Sequence, residues 1–485
     1  MRTDTSAIGC QAGEGTPIDL YRADACAIVD LLRREEIGPH DLLDALERRI
    51  AAVDSAVNAL PTLCFDRARA HADRIVRKPI TERGLLAGLP VAIKDLTDVA
   101  GVRTTYGSPI FTDHVPTRSD ILVEMLEARG AIVYAKSNTP EFGAGANTFN
   151  EVFGATRNPW KVSRSAAGSS GGAAVALATG MAWLAHGTDL GGSLRNPASF
   201  CGIVGMRPSI GRVAHTPVGK VDGTLSAHGP MARTVDDLAL LLDAMAGEHP
   251  ADPLSLPALP ASFLAAARSG WQPKRVAYSA TLGVTPVDPE IAAITREAAQ
   301  HFADAGAIVE EAHPDLSGVH DCFHVLRAYQ YAVRFAELLR RNRDLLKPEV
   351  IWNVEKGLRL TVEELERAEA QRVALTSGTL RFFQTYDLLL TPATIVPPFP
   401  VEQRHVAACA GTTFDNYLDW LAIAYAITIV CCPALSLPCG FTVEGLPVGL
   451  QIAGPPRSEA RILSAAKVLE DMLALRGMTP IDPRQ

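Results

Sequence analysis

The chain has 485 residues, 47 % of them hydrophobic and 21 % charged, with a net charge of −8. This balance is typical of a globular protein, and an acidic chain without a Lys/Arg cluster argues against nucleic acid as a partner. No apolar run reaches the roughly 18 residues of a membrane span, and the N-terminus lacks a charged region followed by an apolar one. We therefore expect neither a membrane segment nor a secretory signal.

The nine cysteines are scattered without metal-ligand spacing. The close pair Cys431-Cys432 lies in an apolar run, where we predict buried free thiols, with a reactive or redox pair as the alternative. His215 and His228 have no second histidine at ligand spacing, so we interpret them as loop or core residues rather than metal ligands. Together these features favour a reducing cytoplasm.

The first elements are helical and then alternate with strands. Apolar residues at helical spacing predict two packing helices before Asn58. The apolar run Leu89 to Ile93 predicts a short buried strand, with Lys94 at its end. Lys94 is interpreted either as a surface cation or as a desolvated amine whose lowered pKa frees it to act as a base.

A helix from Ser119 to Arg129 and a strand from Ala131 to Ala135 continue this alternation, which indicates an α/β fold. We predict a polar loop from Lys136 onward. Lys136 and Arg157 are candidates for phosphate or carboxylate contacts, with loop-anchoring hydrogen bonds as the alternative.

The stretch from Ala166 to Ala198 contains two glycine-rich turns, each with serine. It opens with Gly168-Ser169-Ser170-Gly171-Gly172, passes through a helix of small residues and closes on Gly191-Gly192-Ser193. Glycine-rich turns let the backbone approach a ligand and present N–H groups. The stretch therefore suggests hydroxyl chemistry beside a backbone anion site, with ordinary helix–strand packing as the alternative.

The second half of the chain carries fewer motifs. Thr234 is predicted to cap a helix over 235–246, and the Pro-rich segment 249–262 is the best candidate for a linker. The remaining predicted elements are a strand at 275–279, a helix at 291–305, two long helical stretches between Cys322 and Phe383, a strand at 386–391, a buried helix at 418–430, two strands within 432–438 and 445–451, and a last helix at 457–473.

The order of the motifs GLPVAIKD, AGSSGG and GTDLGGSLRNPA resembles the amidase signature family of serine hydrolases. The stretches AKSNTPEFG, FGATRNPW, GPMARTVDDL and PALSLPCGFTVEGLPVGLQIAG are similar to this family as well, so the resemblance covers about 19–473. It implies an α/β fold, an α/β/α sandwich with a mixed, twisted central sheet flanked by helices. We expect one domain over 1–485, with a signature core at 19–250, a Pro-rich connection at 250–262, a motif-poor region at 263–430 and core strands with the last helix at 431–475. Helices within 315–385 are expected to cap the site.

The resemblance also implies a Ser-Ser-Lys triad. Carried over by position, Ser193 is the nucleophile, Lys94 the ultimate base and Ser169 the bridging serine, with a cis peptide bond to Gly168. The backbone N–H groups of Leu190, Gly191, Gly192 and Ser193 match the family's oxyanion hole, and no metal or cofactor is expected. Two departures from the family pattern, Ala173 and Leu190, leave this chemistry intact.

The resemblance implies a small-molecule amide substrate, with an enzyme that is a monomer or a homodimer. We expect the acyl pocket to include Phe142, Gly143, Ala144 and Gly145, together with the region 315–425. That region holds apolar and aromatic residues that are pocket or core candidates: Phe323, Tyr329, Trp352, Phe414, Tyr417 and Trp420. They motivate the hypothesis of an aryl acylamidase or a carbamate-cleaving, urethanase-like enzyme.

Three other functions remain as alternatives. A glutamine-hydrolysing subunit of a tRNA-dependent amidotransferase shares the fold and the triad but needs partner subunits. A glycine-rich phosphate-binding protein lacks support, since neither the P-loop nor the dinucleotide-binding pattern is present. A non-catalytic scaffold would have no need of Lys94, Ser169 and Ser193 together.

Overall fold

The computed structural model describes residues 19–216 and 224–485. The N-terminal segment in which we find no secretory signal lies outside the described residues. The helices are α1 Ala25–Arg33, α2 Pro39–Val57, α3 Phe65–Val76, α4 Ile121–Ala128, α5 Gly171–Ala178, α6 Arg195–Cys201, α7 Val235–Met245, α8 Phe263–Ala267, α9 Pro289–Asp304, α10 Val319–Asn342, α11 Pro348–Leu358, α12 Val362–Phe382, α13 Ala422–Ile429 and α14 Glu459–Leu473.

The strands are β1 Thr62–Leu63, β2 Pro90–Lys94, β3 Ile132–Ser137, β4 Phe149–Asn150, β5 Gly154–Ala155, β6 Leu184–Asp189, β7 Val204–Arg207, β8 Ala227–Ala232, β9 Arg275–Tyr278, β10 Ile308–Glu311, β11 Leu388–Pro392, β12 Ala408–Cys409, β13 Thr412–Thr413, β14 Ala434–Phe441 and β15 Pro447–Ala453. Eleven of them form one sheet in the order β1-β3-β2-β6-β8-β7-β14-β15-β11-β9-β10. The pairs β3-β2, β2-β6, β11-β9 and β9-β10 are parallel and the others are antiparallel. This mixed sheet, flanked by helices, confirms the predicted fold class.

The strands near the site are buried on both faces. All five residues of β2 and all six of β3 are buried, which explains why β2 is almost entirely apolar. The helix α5 beside them is also buried along its whole length. A Cβ atom at Gly172 would lie 2.3 Å from the backbone nitrogen of Asn138, so glycine is required for this close packing.

Most predicted elements are confirmed within a few residues, and Thr234 caps α7 by accepting a hydrogen bond from the Asp237 N–H at 3.2 Å. The predicted polar loop at Lys136 is wrong, because β3 continues through Ser137. The two long helical stretches predicted after Cys322 are three helices, α10 to α12. The strand β8 was not predicted, since it contains Gly229-Pro230, a dipeptide that usually ends a strand.

The residues at 250–262 form neither helix nor strand, and α8 begins directly after them. The division of the chain at this Pro-rich connection stays a prediction. Across the two described ranges, no helix is both long enough and apolar enough to cross a membrane.

Candidate active site

The site forms where the parallel strands β2 and β6 end side by side, the edge at which α/β sheets place their ligands. Lys94 is the last residue of β2 and is completely buried. Its Nζ lies 2.7 Å from Ser169 Oγ, 2.9 Å from Ser170 Oγ and 2.9 Å from Thr188 Oγ1. The structure therefore joins Lys94 and Ser169, and it excludes the interpretation of Lys94 as a surface cation.

The surroundings of Lys94 favour its neutral form. Burial lowers the pKa of Lys94 well below the usual value of 10.5, and the more distant Asp189 carboxylate opposes this shift only in part. The three close neighbours of the amine are hydroxyl groups, which can either donate or accept. The site can thus hold an amine ready to accept a proton.

The turn that carries Ser169 lies against the loop that carries Ser193. The peptide bond between Gly168 and Ser169 is cis, and the Ser170 N–H donates to the Ser193 carbonyl at 3.2 Å. Gly168 and Ser193 line the same narrow cavity. All three predicted catalytic residues therefore lie in one small region.

The loop that carries Ser193 is fixed by the carboxylate of Asp189. Asp189 Oδ1 accepts from the Gly192 N–H at 3.0 Å and from Arg195 Nη2 at 2.8 Å. Its Oδ2 accepts from the Leu194 N–H at 3.1 Å and from Arg195 Nε at 3.0 Å. Both side chains are completely buried. Burial alone would raise the pKa of Asp189, but Arg195 and Arg207 outweigh it and hold this pKa well below its usual range.

Gly192 occupies a position that only glycine fits. Its φ is +102°, and a Cβ atom there would lie 2.5 Å from Asn196 Oδ1 and 2.7 Å from Ala424 Cβ. Because its N–H already donates to Asp189, a role of this group in the oxyanion hole requires that the hydrogen be shared. The oxyanion-hole role of the Leu190, Gly191 and Ser193 N–H groups stays a prediction, without this condition.

The predicted substrate-binding loop divides between the cavity and a neighbouring apolar cluster. Gly143 and Gly145 line the cavity with Ser193. The Phe142 ring instead packs 4.6 Å from that of Phe335, and Ala144 belongs to the same buried cluster. Their role in substrate binding stays a prediction.

The aromatic candidates of the region 315–425 also fall into two groups, those that line the cavity and those that do not. Phe323 and Tyr417 line the cavity, whereas Trp420 packs edge-on against Phe399 in the core at 5.7 Å. Tyr329 is among the exposed large side chains, and Phe414 packs against the core from a half-buried position. The Trp352 ring lies 6.0 Å from that of Tyr417, behind the cavity wall.

Other residues that the sequence singled out have structural roles. Lys136 is buried, lies 3.2 Å from Asp95 and donates to the Thr97 carbonyl at 2.8 Å. Arg157 donates to the Val162 carbonyl at 3.1 Å. Both side chains therefore anchor loops, which was the alternative to a ligand contact.

His228 is not isolated as expected but belongs to a stack of three histidines, of which His186 is buried. His186 Nε2 lies 2.9 Å from His228 Nδ1, and the ring of His215 stacks on His228 at 4.5 Å. The interpretation of His215 and His228 as isolated loop or core residues therefore missed their contacts with each other and with His186.

The described cysteines, all of them except Cys10, are free thiols. Cys432 is buried, and burial raises the pKa of its thiol. Cys431 is half-buried and accepts a hydrogen bond from Arg372 Nη2 at 3.1 Å.

Sequence reasoning missed several groups at the site. Ser170 and Thr188 hold the Lys94 amine, and Asp189 and Arg195 fix the nucleophile loop. All four lie in or beside the glycine motifs, so their proximity to the predicted triad was an available signal. Arg327, on α10, lines the cavity and has no motif around it.

The chain is similar to known proteins in both sequence and structure. The sequence profile of the amidase family matches residues 41–463. An acylamidase from Rhodococcus erythropolis is 34 % identical over 474 residues, covering 96 % of this chain and 99 % of the relative. One subunit of the glutamyl-tRNA(Gln) amidotransferase from Moorella thermoacetica is 35 % identical over 480 residues, covering 93 % of this chain and 97 % of that subunit.

Among solved structures, a bacterial aryl acylamidase of the amidase signature family superposes with a TM-score of 0.86 at 25 % identity. The match covers 95 % of this chain and 99 % of that structure. The chain belongs to the amidase signature family. Within that class it is an amide-hydrolysing enzyme, as the profile, the acylamidase and the solved structure jointly support.

Proposed function

We propose that this enzyme hydrolyses aryl or alkyl amides, with carbamates and esters as further substrates, through Ser193, Ser169 and Lys94. The observation that carries the proposal is a completely buried Lys94 amine, 2.7 Å from Ser169 Oγ, beside the cavity that Ser193 lines. A serine hydroxyl is a weak nucleophile until a neighbouring base removes its proton.

In the first step the neutral Lys94 amine accepts the Ser169 proton while Ser169 accepts that of Ser193. A neutral amine has two N–H groups and one lone pair, which match three hydroxyl neighbours. Ser170 Oγ and Thr188 Oγ1 accept the two N–H groups, so the lone pair faces the Ser169 hydroxyl. Ser193 Oγ then attacks the amide carbon and forms a tetrahedral adduct.

The backbone N–H groups at 190–193 stabilise the oxyanion of that adduct. Removing one donor of this kind from a hydrolase costs about 3 kcal/mol in the barrier. The proton held by Lys94 returns through Ser169 to the leaving amine, and the C–N bond breaks. Water then attacks the acyl-enzyme by the same relay in reverse and releases the acid.

The residues that line the cavity favour substrates with small apolar or aromatic acyl and amine groups. Phe323, Tyr417, Leu418 and Leu421 line the cavity together with the glycines of the predicted acyl pocket. The similarity to acylamidases supports an aryl acylamidase activity, and a urethanase-like activity follows if the same pocket accepts a carbamate.

A second candidate function is the glutaminase subunit of a tRNA-dependent amidotransferase. The 35 % identity to an amidotransferase subunit from Moorella thermoacetica favours it. This function would require partner subunits, whereas we propose that the enzyme acts alone, as a monomer or homodimer in the cytoplasm. We also propose a single domain in which α10 to α12 cap the site.

A chromogenic assay with a 4-nitroanilide, an aryl carbamate and glutamine separates these functions. We expect the wild-type enzyme alone to hydrolyse the anilide and Ser193→Ala to lose that activity. Hydrolysis of glutamine alone would favour the amidotransferase function. Equal activity of wild type and Ser193→Ala would contradict the triad.

A further inference from the structure

The cavity beside Ser193 contains a buried cation that the proposed chemistry does not use. Arg327, on α10, lines this cavity and is 5 % exposed. Among the described residues that line the cavity, it is the only charged side chain.

Within the ranges 19–216 and 224–485, Arg327 forms no ion pair with a carboxylate. Its Nη2 donates to Tyr417 Oη at 2.9 Å and to Tyr331 Oη at 3.1 Å. The guanidinium also lies over the Tyr331 ring, 4.5 Å from its centroid. These contacts orient the cation but leave its charge without a counter-ion.

Part of the donor capacity of Arg327 is also unused. Its Nε is buried without a hydrogen-bond partner, and its Nη1 has no partner among the described residues. An arginine carries five N–H donors in a fixed geometry. A buried charge is costly unless it is paired and hydrogen-bonded, so an arginine in this state is suited to an anionic group supplied from outside.

The contacts of the two tyrosines tie this cation to the catalytic region. Tyr331 Oη donates to the Phe142 carbonyl at 3.3 Å, and Phe142 precedes the cavity glycines Gly143 and Gly145. Asn353 Nδ2 donates to Tyr417 Oη at 2.5 Å and fixes that ring from α11. The guanidinium is thus held in place before a ligand arrives.

We propose that Arg327 selects substrates that carry a carboxylate, so that the enzyme acts on small amides with a negative charge at one end. The inference rests on the proposed amide hydrolysis at Ser193. The carboxylate would accept charge-assisted hydrogen bonds from the free guanidinium donors, while Phe323, Leu418 and Leu421 contact an apolar spacer.

The test compares matched pairs of chromogenic amides. Glutaryl-4-nitroanilide carries a carboxylate on the acyl side, and pentanoyl-4-nitroanilide is its neutral counterpart. Butyryl-3-carboxy-4-nitroanilide and butyryl-4-nitroanilide form the pair for the leaving group. Wild type should prefer the charged member of one pair, and that pair identifies which side of the scissile bond faces Arg327.

Arg327→Met should reduce kcat/KM for the preferred charged substrate by about 100-fold and leave its neutral counterpart within about threefold. Arg327→Lys should keep part of the preference, because the charge remains while the fork of donors is lost. Arg340→Met is the matched control, since Arg340 lies on the same helix and is exposed. Arg340→Met should leave kcat/KM unchanged for both the charged and the neutral substrate.

Equal losses for charged and neutral substrates in Arg327→Met would overturn the proposal and make Arg327 a structural residue. A wild type without preference in either pair would overturn it too. If Arg327→Met does not fold, the charged-to-neutral ratio in Arg327→Lys decides.

Calorimetry gives a readout that does not depend on turnover. Both charged anilides and their neutral partners, pentanoyl-4-nitroanilide and butyryl-4-nitroanilide, are titrated into Ser193→Ala and into the variant that also carries Arg327→Met. The proposal predicts about 100-fold weaker binding of the preferred anion in the double variant. If wild type hydrolyses no amide, the proposed function fails, while this binding experiment still decides on Arg327. If neither anion binds Ser193→Ala better than its neutral partner, the proposal is refuted.

Discussion

Asp189→Asn tests the idea that one carboxylate fixes the loop of the proposed nucleophile. The Asp189 carboxylate accepts four hydrogen bonds at 2.8–3.1 Å, two from Arg195 and two from the backbone N–H groups of Gly192 and Leu194. An amide has nearly the same shape but only one accepting oxygen. Whichever way the new amide turns, two of the four donors face an NH₂ group, and the Arg195 cation loses its counter-ion.

Breaking a buried ion pair by removing one charge costs about 3–5 kcal/mol. We therefore expect the free energy of unfolding, measured by urea denaturation, to fall by this amount in Asp189→Asn. Hydrolysis of the 4-nitroanilide should fall as well, because the loop that presents Ser193 loses its anchor. Asp304→Asn is the control, since this carboxylate is 60 % exposed, and it should change stability by less than about 0.5 kcal/mol.

A double-mutant cycle with Arg195→Met separates the pair from its surroundings. Once Arg195 is replaced, Asp189→Asn no longer leaves a buried cation unpaired. The free energy of unfolding of the double variant should therefore fall by less than the sum of the two single losses. Additive losses, or an Asp189→Asn variant as stable as wild type, would refute the reasoning.

Further predictions concern the base and the nucleophile loop. Because burial lowers the pKa of Lys94, kcat/KM should rise with pH and reach its plateau well below pH 10.5. A rise centred on pH 10.5 would contradict the proposal that Lys94 acts as a neutral base. The unfolded chain holds the Lys94 proton up to about pH 10.5, so the free energy of unfolding should rise with pH between the two pKa values, and Lys94→Met should flatten that rise. Gly192→Ala should abolish measurable activity and destabilise the protein, because its Cβ would lie 2.5 Å from Asn196 Oδ1. Gly101→Ala, at φ +73° in open space, should cost only the backbone strain of about 1 kcal/mol and keep full activity.

The parts of the site that lie in short motifs could be predicted from the sequence. Lys94, Ser169 and Ser193 each stand at the end of a strand or in a glycine turn, so residue type and neighbours indicate their chemistry. The pairing of Asp189 with Arg195 could not be predicted, although both lie in one motif, because it depends on how the loop folds back. Arg327 gave no signal at all, since a single arginine in an amphipathic helix is usually exposed.

The errors in the predicted fold also come from contacts between residues that are distant in the sequence. Lys136 and Ser137 are polar, so the local pattern predicts that the strand ends before them. They nevertheless stay buried in β3, where Asp95 supplies a partner for the lysine. His186 and His228 meet because β6 and β8 are adjacent antiparallel strands, a pairing that sequence spacing does not reveal.

The most direct test of the account is to identify the residue that carries the acyl group. The enzyme is quenched with acid during turnover of a 4-nitrophenyl ester of the preferred acyl group, digested and analysed by mass spectrometry. The account predicts an acyl adduct on Ser193 that disappears in Ser193→Ala. An adduct on Ser169 or another residue, or one that survives in Ser193→Ala, would contradict it.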